Sequence, residues 1–402
     1  MKRLWLLFLI LLLAFFGVDA KKAAPALTVV DLRAEYQDNP IGIDYAPQLS
    51  WKMFSESEST FQSAYRILVA SSEAILGEDK GDIWDSGKVE SSQSTCISTE
   101  RIKLITRARY HWKVKVWSRD GRETEWSQPA FWEMGLLEQA DWQGGWIGYV
   151  PGMPGRVLYF KANFWPDPSK QIAYSRLYAA GIGNFEVYVN HKKVGDHVLD
   201  PAQSTYSKRI YYETYDVGAL LQQGANSIVI PVAPGWMGSP RLRAQLEVVY
   251  TDGTCYVMNT DSFRHVTTGP TTYATIFDGE CYDARQDKDY IWEPGVPTGL
   301  MDKQWAWAHN TDDPTGKMCA ARVEPIQIVE ELKPVFVAEP QSGMYVFDAG
   351  RNLAGWVAIK VHGKEGDTVR LYFAETLRED GWAKVFKGVT SVKEIMRVTE
   401  DQ

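Results

Sequence analysis

Cysteine is scarce in this chain: four in 402 residues, at Cys96, Cys255, Cys281 and Cys319. No two form a C-x-x-C pair, which argues against a zinc site, and so few in a chain this long rule out a disulfide scaffold. The four thiols permit three disulfide pairings in an exported chain, and buried free thiols fit the count equally well. Histidine is thin as well, with six residues at 111, 191, 197, 265, 309 and 362. None stands at a recognised ligand spacing, and His191 and His197, flanking a turn, read as ordinary polar residues. Positive charge is short: 43 Lys and Arg against 51 Asp and Glu leave a net charge of −8. That balance excludes nucleic acid as an expected partner, since such a protein shows a basic face.

Long apolar runs are limited to one. Lys2-Arg3 precedes thirteen apolar residues, Leu4 to Phe16, and then Val18-Asp19-Ala20. A basic start, a short apolar centre and a small-residue exit predict a secretory signal peptide over residues 1–20. Thirteen residues fall short of the roughly 20 that a membrane span needs, and no cysteine follows to carry a lipid. No later run is long enough to span. The expected product is exported, periplasmic or secreted, with no membrane span after signal cleavage.

Catalytic signatures are missing too. There is no P-loop, no H-E-x-x-H, no EF-hand loop and no nucleophile elbow. Gly181-Ile-Gly183-Asn-Phe-Glu186 starts like a dinucleotide fingerprint, but Glu186 stands where the third glycine belongs and a strand follows. Asp283, Asp287 and Asp289 read as a solvated acidic turn. Glycosidic hydrolysis needs two carboxyl groups at a set separation, and spacing along the chain selects no such pair. No catalytic residue is assigned.

What the chain has is aromatic residues, 13% of the total, with 32 Gly and 19 Pro. That mixture suits many short strands and turns, and the fold class it predicts is all-β, as consecutive β-sandwiches. Residues 28–138 form the first unit. There Tyr65–Ala70 and Tyr110–Trp117 alternate apolar with polar residues, and Asp120-Gly121 marks a turn. Trp51, Trp84, Trp112, Trp117 and Trp126 are expected as its core, in a module of fibronectin type III or immunoglobulin kind. Residues 141–322 form a second, jelly-roll-like sandwich. Its Phe185, Val187 and Val189 face one way and Glu186, Tyr188 and Asn190 the other, before a hairpin turn at Asn190-His191. Ser227–Val232 and Gln245–Tyr250 are further strands, and Ala219–Gln223 a single helical turn closed by Gly224. After a linker, Val323 to Pro340, residues 341–402 begin a third sandwich with strands at 344–347, 355–361 and 368–374. A sandwich normally takes about 100 residues, so this one is expected to be incomplete.

Several stretches together resemble the bacterial α-L-rhamnosidases of glycoside hydrolase family seventy-eight. In the first unit these are Leu32–Asp44, Pro47–Trp51, Gln62–Ser71, Ile83–Val89 and Tyr110–Val114. The second carries Leu177–Asn190, Val194–Pro201, Thr214–Val217 and Phe277–Arg285. The third carries Phe347–Trp356 and Phe373–Gly381. The resemblance implies removal of terminal α-L-rhamnose from plant polysaccharides or glycosides by inversion, so the partner is a rhamnose-containing carbohydrate. It also implies that the acid and base sit in an (α/α)₆ barrel following these β-domains. No helical periodicity of that length occurs before Gln402, so the barrel is expected to be absent. The chain is then the non-catalytic front of a rhamnosidase, and the rival reading is a stand-alone carbohydrate-binding or scaffold protein.

The second unit is similar to a domain that in some relatives binds rhamnose through calcium. Carried over, the loops are Gly183-Asn184 and Ala233–Trp236, with Asn184, Gly235 and Trp236 as the carbohydrate-binding residues. Ca²⁺ would take the Asn184 side-chain oxygen and the Pro234 carbonyl, although no acidic residue stands beside Asn184. Trp236 would stack on a sugar face or pack within its loop. Arg285 would pair with Asp278, Glu280 or Asp283 to hold a long connection.

Overall fold

The computed structural model describes residues 27–56, 60–148, 150, 155–236, 239–295 and 305–374. The expected signal peptide lies outside them. The chain divides into two compact units, one up to Ile326 and one from Gln327.

Seven strands make the first sandwich: β1 (Thr28–Ala34), β2 (Gln48–Phe54), β3 (Gln62–Ala70), β4 (Trp84–Asp85), β5 (Ile97–Ser98), β6 (Arg109–Ser118) and β7 (Ala130–Glu133). They pair as a three-stranded sheet, β1-β2-β5, and a four-stranded sheet, β4-β3-β6-β7. Period-two alternation supplies its core: Leu49, Trp51, Ile67, Val69, Trp112, Val114, Val116 and Trp132 are all buried. Such burial stabilises by about 1.5–3 kcal/mol for each large side chain.

Only Trp51 and Trp112 of the five expected core tryptophans are fully buried. Trp84, Trp117 and Trp126 lie half-exposed, each capped by cations: Arg101 over Trp84 at 5.2 Å, Lys88 over Trp117 at 5.2 Å, and Lys115 over Trp126 at 4.9 Å. Trp84 and Trp126 still pack against buried clusters on one side, and lysine and arginine stems shield the remaining ring faces from water.

The second sandwich stacks two seven-stranded sheets. One contains β8 (Ile147–Gly148), β10 (Ile172–Ile182), β14 (Arg209–Asp216), β16 (Arg241–Tyr250), β17 (Cys255–Asn259), β22 (His309–Asn310) and β23 (Lys317–Ala320). The other contains β9 (Leu158–Phe164), β11 (Asn184–Phe185), β12 (Tyr188–Val189), β13 (Lys192–Lys193), β15 (Asn226–Ala233), β18 (His265–Thr267) and β21 (Ala306–Trp307). Pairing is antiparallel except between β14 and β23. Phe160, Phe164, Leu177, Phe185, Val187, Val189, Ile228, Ile230, Leu246 and Val248 fill the space between. Asn190 and His191 both take positive φ, 49° and 64°, closing the β12–β13 hairpin as expected. The helical turn falls slightly earlier than expected, as a 3₁₀ turn over Gly218–Leu220. A separate hairpin, β19 (Thr271–Thr275) and β20 (Gly279–Tyr282), follows β18.

The two sandwiches pack together within this unit. The outward face of β10 and β14 presents Tyr178 and Tyr212 against Leu136, Trp142 and Trp146. Tyr212 Oη accepts the Leu136 N–H at 3.1 Å. Gly42, at φ 80°, comes so close to β14 that a Cβ there would sit 2.0 Å from Thr214 Oγ1. Arg176, 2% exposed, donates from Nε to Glu133 Oε1 at 2.6 Å, and Glu133 is 5% exposed. Arg109 holds the same carboxylate at 2.7 Å, and Arg107 forks onto Glu247 while also reaching Asp141.

In the second unit β24 (Phe336–Gln341) pairs antiparallel with β25 (Met344–Asp348). The expected linker thus already contains a strand. The stretches at 355–361 and 368–374 alternate in sequence but form no strand. A strand exists through its ladder partner, and among the described residues of this unit only β24 and β25 pair. All four cysteines are free, as in the second of the two alternatives, but only Cys319 is buried.

Candidate functional site

One end of the second sandwich gathers the carried-over residues. The chain leaves β10 through Gly183, whose φ of 108° suits glycine, and where a Cβ would meet the Ala233 carbonyl oxygen at 2.0 Å. Antiparallel pairing sets Asn184 opposite Ala233 and Phe185 opposite Val232. The two loops therefore meet: a Cβ on Gly235 would lie 3.1 Å from Gly183 Cα and 3.2 Å from Asn184 Oδ1. The Gly183 N–H donates to Tyr206 Oη at 3.1 Å, and Asn184 Nδ2 donates to the Leu199 carbonyl at 3.1 Å. Asn184, Pro234 and Gly235 are thus brought together through main-chain contacts.

Trp236 stands 53% exposed at the edge of this loop. Its ring meets Phe277 edge-to-face, centroids 4.8 Å apart. Phe277 sits between β19 and β20 and is 74% exposed. Such a pair offers an apolar face to the C–H side of a sugar while leaving polar groups of the loop for hydroxyls. In the sequence Phe277 opens a stretch expected to be structural; its exposure and its contact with Trp236 are not visible in the linear motif. Arg285 resolves onto Asp283, with both hydrogen bonds at 2.9 Å, and Asp287 accepts the Trp292 indole N–H at 2.7 Å. That stretch braces the short helix Asp289–Trp292 against β9 and β15, as expected of a structural connection.

For calcium the fit at Asn184 is poor. Asn184 Nδ2 is spent on Leu199, which leaves Oδ1 and the Pro234 carbonyl, and residues 183 and 185 are Gly and Phe. A hard cation that takes 6–8 oxygens, usually with carboxylates, finds too few donors in this pair, so the Asn184–Pro234 pair is not a calcium site by itself.

Sequence reasoning passed over a second cluster nearby. His197, Asp200 and Glu213 place ligand atoms within 4.8 Å of one another. His197 Nδ1 lies 3.2 Å from Asp200 Oδ2, and Tyr215 Oη donates to that same oxygen at 2.6 Å. The contact with Asp200 raises the His197 pKa. Burial, with Asp200 beside it, pushes the Glu213 carboxyl up to about 8, and burial drives the Tyr215 phenol well above its ordinary range. One signal was available: Glu213 sits two residues before the core residue Tyr215, at a position where the strand's alternation calls for an apolar side chain.

Comparison with known proteins follows the same order along the chain. Residues 29–138 match the family described as Rha78A-like, N-terminal immunoglobulin domain. Residues 170–330 match the alpha-L-rhamnosidase N-terminal domain, and 338–395 the bacterial alpha-L-rhamnosidase concanavalin-like domain. An alpha-L-rhamnosidase of Formosa agariphila is 33% identical over 96% of this chain and 44% of its own length. The solved structure of alpha-L-rhamnosidase from Dictyoglumus thermophilum superposes with a TM-score of 0.74 at 31% identity, over 81% of this chain and 38% of that one. The Streptomyces avermitilis alpha-L-rhamnosidase, solved in complex with L-rhamnose, gives a TM-score of 0.70 at 25% identity, over 82% of this chain and 49% of that one. The chain spans less than half the length of each of these proteins. Among the described residues there is no helical barrel, and no helix is long and apolar enough to cross a membrane. The chain belongs to the bacterial α-L-rhamnosidase family, whose N-terminal, non-catalytic β-domains it carries.

Proposed function

We propose that this chain is the front part of an exported α-L-rhamnosidase that releases terminal α-L-rhamnose from plant glycans or glycosides. In this reading bond cleavage belongs to a helical domain outside these sandwiches, and the sandwiches position the carbohydrate. The observation that carries it is the consecutive match of three rhamnosidase β-domains along one chain. Export rests on the Lys2-Arg3 start, the apolar run and the Val18–Ala20 exit.

Carbohydrate contact is assigned to Asn184, Gly235 and Trp236. The support is the open aromatic pair Trp236–Phe277 beside two loops whose glycines let the backbone approach a ligand closely. The same surface would serve the stand-alone binding role, so calorimetric titration with L-rhamnose tests the surface under either reading. Saturable heat is expected, and Trp236→Ala should weaken binding by about tenfold, the loss of one stacking contact of ~1.4 kcal/mol. Absence of heat with millimolar L-rhamnose, or equal affinity in Trp236→Ala, removes the sugar site.

A further inference from the structure

Glu213 occupies a position that a β-sandwich normally reserves for an apolar side chain. It lies on β14 directly opposite Ala179 of β10, and Ala179 belongs to the core between the sheets. Among the described residues its carboxylate has neither a hydrogen-bond nor an ion-pair partner. Glu213 is half-buried, so its oxygens stay within reach of solvent and of an incoming ion. The neighbouring group, Asp200, carries the same charge and is 8% exposed. Lys193, one of two lysines on the adjacent hairpin, is engaged by Glu186 at 2.5 Å. Two carboxyl groups and one imidazole thus converge, and the only group of opposite charge that meets Asp200 among the described residues is the His197 imidazole.

We propose that His197, Asp200 and Glu213 form a binding site for a divalent transition-metal ion of the zinc class. The donor set, one imidazole and two carboxylates, suits zinc, whereas calcium prefers an all-oxygen shell. The ligand atoms already lie within 4.8 Å of one another. Asp200 is pre-oriented: the Tyr215 hydroxyl donates to its Oδ2 at 2.6 Å, and its carbonyl accepts the Phe185 N–H at 2.6 Å. A carboxylate held by an outer hydroxyl in this way is the usual support of a metal ligand. His197 is 28% exposed on the loop between β13 and β14, which gives an ion a route in and gives the imidazole room to close. Bound there, the ion would tie that loop to the sheet and, through the Leu199 carbonyl, to Asn184. The site does not depend on the sugar surface, and the failure of either leaves the other standing.

The test is calorimetric titration of zinc chloride into the whole purified chain, stripped with chelator and with its exposed Cys96, Cys255 and Cys281 alkylated. About one equivalent should bind. Tyr215→Phe should weaken it by roughly 10–100-fold, and loss of a ligand in His197→Ala or Glu213→Gln by at least as much. His309→Ala, at an exposed histidine on β22, should bind zinc as the parent does. Circular dichroism checks that each variant folds, and His197→Gln replaces His197→Ala if the latter does not. The site is overturned if zinc binding disappears on alkylation, if it survives unchanged in both His197 and Glu213 variants, or if calcium displaces zinc at equal concentration.

Discussion

Lys161 is the most telling single residue outside the site. It sits buried on β9, with Nζ donating to the carbonyls of Tyr290 at 2.8 Å and Glu293 at 2.7 Å. Burial pushes its ammonium down to about 8, while an unfolded chain returns it to about 10.4. Between those values the unfolded chain holds the extra proton, so stability rises with pH across that window. Urea unfolding at pH 7.5 and 9.5 should show the parent gaining on the order of 2 kcal/mol relative to Lys161→Met. Parallel profiles for the two proteins would refute the assignment. Residues of this kind were not legible in the sequence. Lys161 reads as one more polar position in a strand, and it is the segment 289–293 crossing β9, with the Trp305 ring beside it, that encloses its ammonium. The same holds for His197, Asp200 and Glu213, which are brought together by a loop and a neighbouring strand.

Strands were legible wherever alternation met a partner. Tyr65–Ala70, Tyr110–Trp117, Ser227–Val232 and Gln245–Tyr250 all lie within strands, because each has hydrogen-bonded neighbours and a core to face. The stretches at 355–361 and 368–374 carry equal alternation and form none, since pattern gives propensity but pairing gives the strand. Trp84 and Trp126 pack against the core only in part and Trp117 lies outside it, because alternation does not say whether a ring is covered by a second sheet or by a lysine or arginine stem. At this scale the clamp between β7 and β10 is decisive. Glu133→Ala would leave Arg176 buried with the Ser175 carbonyl at 2.8 Å and, as its one remaining anion, Asp216, 58% exposed, at 3.1 Å. Removing one partner of a buried pair costs about 3–5 kcal/mol, so the denaturant midpoint should fall by that equivalent. A loss below about 1 kcal/mol, the range of a surface pair, would mean that the clamp contributes nothing to docking.

For the molecule as a whole, the division at Ile326 and Gln327 separates units of different character. Among its described residues the first buries five apolar clusters, the two largest being the cores of the two sandwiches. In the second, Val329, Val335, Phe336, Phe347, Trp356 and Phe373 are all exposed. Limited proteolysis should therefore leave a resistant fragment ending near residue 326, with early cuts in 341–374. Equal resistance throughout would contradict that contrast. The central claim is that these sandwiches serve a rhamnosidase without performing its chemistry, and it is met most directly by assaying the folded, purified chain on an aryl α-L-rhamnoside. The account predicts no release of the aryl group above buffer at any pH. Saturable turnover in proportion to the chain's concentration would contradict it and place a catalytic acid and base on the sandwiches themselves.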